Sequence, residues 1–355
     1  MRRPYINVLP LIMMLGVGAC APAAEEPAGP AAPTIATEAP APTATAEPVH
    51  LKAGMIALMT GAPLYVAAQE GYFADHGLDV ELTLFSTASA AEMVPALIAE
   101  DIDVLGSSIG AAYLNAIAQG GEFRAVADKG FLNPDSCASE AFVARKGLLD
   151  AGIFDDPAAF RGMTIVSRPG AHEEMLGQRL LAPAGLTLAD VQVEPVLDFA
   201  VRLESLGNGS LDVAALTEPW ITRARNAGVA DVLKPWADLL PGFSIGYVWY
   251  GPGMLKQDHD VRVRFMLGYL EGVRQYREGP TERNVEILAE FTGLEPAEVK
   301  EMCWPSFQPD GKVDLDALGA YEEWAFESGY LDARVPLDQI FDPQYVEEAS
   351  TLLTP

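Results

Sequence analysis

From residue 50 onward the chain alternates between short apolar runs and longer stretches whose apolar positions recur three and four residues apart. Short runs bounded by turn residues read as buried strands, and the wider spacing reads as helices. The pattern predicts strands at His50–Leu58, Asp79–Phe85, Asp103–Leu105 and Phe123–Ala127. Helices are expected between them at Pro63–Asp75, ending at Gly77, and at Ala88–Glu100 and Gly110–Gln119. The rhythm then returns. Strands are expected at Met163–Val166, Val191–Pro195 and Asp212–Leu216, with helices at Ala171–Ala182, Asp198–Leu206 and Pro219–Ala227. Such βαβ repetition implies largely parallel sheets covered by helices.

The two passes align. Ala53-Gly54-Met55 matches Arg161-Gly162-Met163, and Ile102-Asp103-Val104 matches Leu211-Asp212-Val213. Two similar α/β lobes account for this, and so does the general likeness of βαβ units. Phe243–Tyr250 is a long apolar, aromatic strand, expected to carry the chain from the second lobe back to the first. The last third is helical in pattern, at Asp260–Glu278, Glu282–Thr292, Pro296–Met302, Leu315–Ser328 and Pro343–Leu353. It is expected to complete and brace the first lobe. The fold class is therefore α/β with two lobes, 49–140 plus 245–355 and 141–244. The hinge is expected near Cys137–Ala144 and Phe243–Gly251.

The first 48 residues have a different character. Arg2 and Arg3 precede an apolar run from Ile6 to Gly18 that is short for a span of about 20 residues. Residues 1–19 read as an export signal. Val17-Gly18-Ala19-Cys20 resembles a bacterial lipobox, which makes Cys20 the expected lipidation site. Residues 20–48 follow as a tether, with prolines at 22, 27, 30, 33, 40, 42 and 48 and almost no large apolar side chain. Such a stretch buries too little to offset its ordering entropy, and proline keeps it extended. The expected location is outside the cytoplasm, held to the membrane by lipid.

The formal net charge of −27 excludes a nucleic-acid partner, since phosphate binding calls for basic patches. It does not fix the ligand, because a pocket can be positive on an acidic body. Beyond Cys20, only Cys137 and Cys303 remain. They are either a disulfide or two separate buried thiols. The four histidines, at 50, 76, 172 and 259, have no metal-ligand spacing, and no phosphate loop is present. No cofactor is expected.

Ligands of open α/β sheets sit beyond the carboxyl ends of the strands, where helix N-termini present free N–H groups. Small or polar residues occupy those turns here: Thr60, Ser86 with Thr87, Ser107 with Ser108, and the stretch from Ser167 to His172. Arg168 suits a forked pairing with an oxyanion. His172 either contacts ligand or caps a helix. Thr217 and Glu218 end a second-lobe strand, where Glu218 is a ligand contact or a favourable first-turn charge. Tyr247 and Trp249 stack on a ring or pack in the core, as do Trp220 and Tyr250.

Several segments together resemble a known family. They are Pro63-Leu-Tyr-Val-Ala-Ala-Gln-Glu-Gly-Tyr-Phe, His76-Gly-Leu-Asp-Val-Glu-Leu, Pro95-Ala-Leu-Ile-Ala-Glu-Asp-Ile-Asp-Val, Phe160-Arg-Gly-Met-Thr-Ile-Val and Gly209-Ser-Leu-Asp-Val-Ala-Ala-Leu-Thr-Glu-Pro-Trp. In order and spacing they are similar to solute-binding proteins of ABC importers, in the nitrate, sulfonate and taurine group that also includes binders of thiamine precursors and riboflavin. The resemblance implies a two-lobe, periplasmic-binding-protein-like clamp with the ligand in its cleft. Its implied partners are a permease and that permease's ATPase, and the protein is expected to act as a monomer. The cargo would be a small organic anion or, alternatively, an aromatic heterocycle. The rival reading is a serine hydrolase. Gly106-Ser107-Ser108-Ile109-Gly110 fits G-x-S-x-G between a strand and a helix, with Ser108 as nucleophile. That reading needs a histidine oriented by an acid, and only His172 and His259 follow the serine.

Overall fold

The interior apolar runs fold as strands because they are covered on both faces, which is what the near-continuous hydrophobicity of parallel strands requires, whereas the edge strands at Leu78–Phe85 and Gln192–Glu194 stay largely exposed. The structure, a computed structural model, describes residues 47–85, 90–195 and 198–354. Strands β1 (Val49–Ile56), β2 (Leu78–Phe85), β3 (Val104–Ser108) and β4 (Arg124–Asp128) come first. Then follow β5 (Glu140–Arg145), β6 (Thr164–Val166), β7 (Gln192–Glu194), β8 (Val213–Thr217), β9 (Ala230–Pro235) and β10 (Gly246–Tyr250). They form two five-stranded sheets, ordered β2-β1-β3-β10-β4 and β7-β6-β8-β5-β9. Each sheet has one strand antiparallel to both neighbours in the same place, β10 in the first and β5 in the second. The chain is a two-lobe α/β protein in which each lobe repeats the other's topology.

An aspartate grips the backbone in both lobes. Asp103, just before β3, accepts from the Lys52 N–H at 2.8 Å, and its own N–H donates to the Lys52 carbonyl at 2.8 Å. Asp212, just before β8, does the same to Thr164, at 2.9 Å in both directions. Lys52 is therefore equivalent to Thr164, and Ala53, which pairs with Val104, is equivalent to Ile165, which pairs with Val213. This corrects the alignment of Ala53 with Arg161. Gly-Met occurs in both segments, but the register follows the aspartate.

Three other expectations change. The helix foreseen over Pro63–Asp75 is interrupted at Gly71, whose φ of 82° glycine adopts easily, leaving Ala62–Glu70 and Tyr72–Asp75. The helix foreseen from Ala88 is described from Ala90 to Ile98, and its first residues lie outside the described ones. The expected hinge segments run into β5 and β10, which are interior strands held on both edges. The crossings between lobes lie instead at 129–139 and 236–245. They pair with each other: Leu132 N–H donates to the Phe243 carbonyl at 2.9 Å, and Ile245 N–H to the Gly130 carbonyl at 2.9 Å. Cys137, on the first crossing, is joined to Cys303, just past helix Pro296–Glu301.

The C-terminal helices cover the first sheet. Helix His259–Tyr276 packs on helix Ala62–Glu70 at Gly272, where a Cβ would lie 2.3 Å from the Pro63 carbonyl oxygen. Only a residue without a side chain allows that approach. Among the described residues, no helix is long and apolar enough to cross a membrane.

Candidate functional site

The carboxyl ends of β1, β3, β6 and β8 converge between the lobes, and the turns after them line one cavity of about 40 Å³. Six of the expected residues meet there: Thr60, Ser107, Ser108, Arg168, His172 and Thr217. The first three come from one lobe and the last three from the other. The cleft is closed over them. Met59 N–H donates to the Glu218 carbonyl at 3.0 Å, and Ala111 N–H to the Gly170 carbonyl at 2.9 Å. Tyr321 hydroxyl donates to the same Gly170 carbonyl at 2.6 Å, and Trp324 Nε1 to Gln178 Oε1 at 2.9 Å.

The cavity is positively charged. Lys129, at the end of β4, lines it at 6% exposure, and its Nζ donates to Thr60 Oγ1 at 3.0 Å. Burial lowers its pKa to about 8, against the pull of Asp128 and Glu140. Burial also raises those two carboxyls, each to about 7, so near neutrality they are weak counter-ions. From the second lobe, Arg168 Nη2 donates to Glu173 Oε1 at 2.9 Å. Arg202, fully buried, reaches the same carboxylate with two bonds of 3.3 Å and donates to the Ala215 carbonyl at 2.6 Å. Burial by itself would raise the Glu173 pKa, but Arg168 and Arg202 hold it down to about 2. Lys129, Arg168 and Arg202 against Glu173 leave the site positive. Its wall also carries donors with no protein acceptor, Trp236 Nε1 and the Thr217 hydroxyl. Helix His172–Leu181 starts at the cavity, and its leading N–H groups have no acceptor within the helix. A closed, positive, donor-rich cavity of this size suits a small anion.

The other expected residues lie elsewhere. Glu218 is fully buried, and its carboxylate accepts from the Thr222 N–H at 2.9 Å and the Thr222 hydroxyl at 3.0 Å. It serves the start of helix Trp220–Asn226, not the cavity. Tyr247 and Trp249 are wholly buried in β10. As an interior strand with both faces covered, β10 sends its side chains into packing, and Trp249 stacks on Tyr113 at 5.0 Å. Ser86, Thr87 and Cys20 lie outside the described residues. Three polar or aromatic-donor residues of the cavity wall were not foreseen, Lys129, Glu173 and Trp236, and neither was its apolar lining of Ile56, Leu58, Phe199 and Ile245. Lys129 follows Asp128 at the end of a buried strand, and nothing in its immediate sequence marks it as a buried cation and not a solvated one. Trp236 stands on the second crossing and carried no such mark either.

The site does not assemble a serine relay. His172 shares the cavity with Ser108, but its Nδ1 is bonded to the Ile109 carbonyl at 3.3 Å, where a relay needs a carboxylate. The carboxylate beside it, Glu173, is taken by two arginines. Among the described residues, no group of three His, Cys, Asp or Glu is placed to hold a metal ion.

A model of the NMT1-like family matches residues 44–233, more than half of the chain. The chain belongs to the NMT1-like family. This NMT1-like protein is 24% identical over 305 residues to a Brucella abortus protein named as a candidate binding protein, covering 84% of this chain and 89% of that one. Its fold is similar to that of the nitrate-binding protein NrtA of Synechocystis PCC 6803, with a TM-score of 0.70, 17% identity, and 87% and 90% of the two chains covered. It is also similar to the alkanesulfonate-binding protein SsuA of Xanthomonas axonopodis pv. citri, solved bound to MOPS. There the TM-score is 0.66 at 20% identity, covering 84% and 99%. The desulfurization enzyme DSZB has the same fold, with a TM-score of 0.61 at 15% identity, covering 86% and 99%. The NMT1-like fold thus serves binding proteins and an enzyme alike, and the site residues must decide between them.

Proposed function

We propose that the chain is the solute-binding component of an ABC importer, capturing a small anion of the nitrate, sulfonate or taurine kind between its lobes. The observation that carries this reading is the meeting of Lys129 from one lobe with Arg168 from the other at one closed cavity. An anion touching both cations binds the closed arrangement better than any open one, and so holds the lobes together. The cavity of about 40 Å³ favours a small anion over a flavin or a pyrimidine, and the aromatics of β10 are committed to the core. The binding role, and not catalysis, is supported by the orientation of His172 on a carbonyl. We take 49–140 with 245–355 as one lobe and 141–244 as the other, a division supported by the strand content of the two sheets. In this reading the protein works outside the cytoplasm as a monomer, held by lipid on Cys20, and hands its cargo to a permease driven by a separate ATPase.

Isothermal titration of the purified protein tests it. Nitrate, bicarbonate, methanesulfonate and taurine form the anion panel, with riboflavin and a thiamine precursor as comparison. At least one anion binds, and Lys129→Met weakens it by 10-fold or more, the loss of a charge-assisted bond. Binding of riboflavin with no response to any anion would overturn the reading.

A further inference from the structure

The cavity's donors are plain, and its wall hydroxyls, Thr60, Ser107, Ser108 and Thr217, can donate or accept, but one ring presents a neutral group that can only accept. His172 lines the cavity at 3% exposure. Its Nδ1 lies 3.3 Å from the Ile109 carbonyl oxygen. A carbonyl oxygen only accepts, so Nδ1 carries the proton. A neutral imidazole holds one N–H, and Nε2 therefore presents a lone pair. Burial first, and the charge of Arg168 second, hold the ring's pKa down to about 4, so it stays neutral at physiological pH. Among the described residues, Nε2 has no hydrogen-bond partner. Around it the cavity wall supplies protons: Lys129, Arg168 and the indole of Trp236. The Glu173 oxygens are engaged by Arg168 and Arg202.

We propose that the anion bound here carries its own O–H or N–H, donated to His172 Nε2 while its charged oxygens face Lys129. The ligand class is then a hydrogen-bearing oxyanion: a protonated inorganic oxyanion, or a short hydroxy- or amino-substituted sulfonate or carboxylate. An acceptor-only anion of equal charge and size leaves a buried lone pair facing its own oxygens. A site built to accept from a ligand hydrogen rejects the analogue that lacks it, because the site's polar group is left unpaired.

This inference rests on the small-anion reading, and the experiment separates the two. Dissociation constants are measured by isothermal titration at pH 8 on the whole protein for two matched pairs: bicarbonate against nitrate, and 2-hydroxyethanesulfonate against ethanesulfonate. In at least one pair the hydrogen-bearing member binds about 10- to 100-fold more tightly, the loss expected for an unmet buried acceptor. In His172→Leu that ratio collapses toward one. In His172→Gln, whose side-chain oxygen restores an acceptor, the ratio returns in part. Equal binding within both pairs by the unmodified protein overturns the inference and leaves the small-anion reading standing. Binding of no anion overturns both. Should the leucine variant fail to fold, as its melting curve reports, the comparison of pairs on the unmodified protein still decides.

Discussion

Replacing Glu173 by glutamine isolates one charge at the centre of the second lobe. The side chain keeps its volume and one acceptor oxygen, and only the negative charge is lost. Glu173 is 1% exposed and Arg202 fully buried, so the Arg202 guanidinium finds no water in exchange. Removing one partner of a buried ion pair costs about 3–5 kcal/mol, because the remaining charge is uncompensated. A second route gives a similar figure. Arg168 and Arg202 hold the Glu173 carboxyl at about 2, well below an ordinary glutamate, a displacement that corresponds to about 3 kcal/mol. For a body of this size each kcal/mol moves the melting midpoint by roughly 2–4 °C, so Glu173→Gln lowers it by about 6–20 °C at pH 7. Differential scanning calorimetry reads this directly. Glu70→Gln is the control. Its partner Arg283 is half exposed, and a surface pair of that kind contributes about 0–1 kcal/mol. The same variant has an opposite effect on binding. Arg168, no longer shared with a carboxylate, makes the cavity more positive, so the anion binds more tightly to a less stable protein. A Glu173→Gln midpoint within about 2 °C of the unmodified protein would refute the reasoning, and would mean that water reaches the three charges.

Two further predictions concern the fold. Asp128 and Glu140 have native pKa values raised to about 7, so between about pH 4 and 7 the native state binds more protons than the unfolded chain, and stability falls as pH rises through that window. His172, lowered to about 4, acts in the opposite direction between about pH 4 and 6.5 and offsets part of this, and Lys129, lowered to about 8, does so only above pH 8. Two carboxyls outweigh one imidazole, so calorimetric midpoints are higher at pH 5 than at pH 7.5, and a flat or rising trend over that interval would contradict the burial of the two carboxyls. Gly272→Ala places a Cβ 2.3 Å from a backbone carbonyl and 2.8 Å from Ala67 Cβ, so it destabilises by at least the 1–3 kcal/mol typical of overpacking, despite the better helix propensity of alanine. Gly147→Ala, with nothing within 4 Å, is neutral in the same denaturant titration.

Much of this architecture was legible in the residue pattern, for a physical reason. A strand covered on both faces must be apolar, so β1, β3, β4 and β8 stand out as short runs between helices. β5 was overlooked because Ala141-Phe142-Val143-Ala144 sits where the chain changes lobes and reads equally well as a hinge. β9, at the sheet edge, includes Asp231 and Lys234 and ends in Pro235, and it resembles a loop. The site was readable where it follows the rule of strand ends. Thr60, Ser107, Ser108, Arg168, His172 and Thr217 all stand at the carboxyl ends of parallel strands or in the segments that follow them. Lys129 and Trp236 belong to the crossings between lobes, where no local rule distinguishes a buried cation from a solvated one. Their neighbours in space are far away in sequence. Tyr247 and Trp249 misled for the opposite reason. Aromatic residues suit a ring ligand and an interior strand equally, and only the pairing of β10 on both edges settles it.

The positive cavity is set in a chain of formal charge −27, and the contrast bears on rates as well as affinity. Seen from afar, the molecule repels anions. Only within a Debye length, about 10 Å at 0.1 M salt, does the inner field prevail over the coat. Added salt weakens the outer repulsion first, so capture of a monoanion speeds up with moderate ionic strength, the reverse of steered association. The repulsion grows with each charge the visitor carries. The acidic surface thus acts as a kinetic sieve: it slows polyanions such as nucleotides and polyphosphates long before they meet the cavity's walls, and lets small, singly charged solutes through.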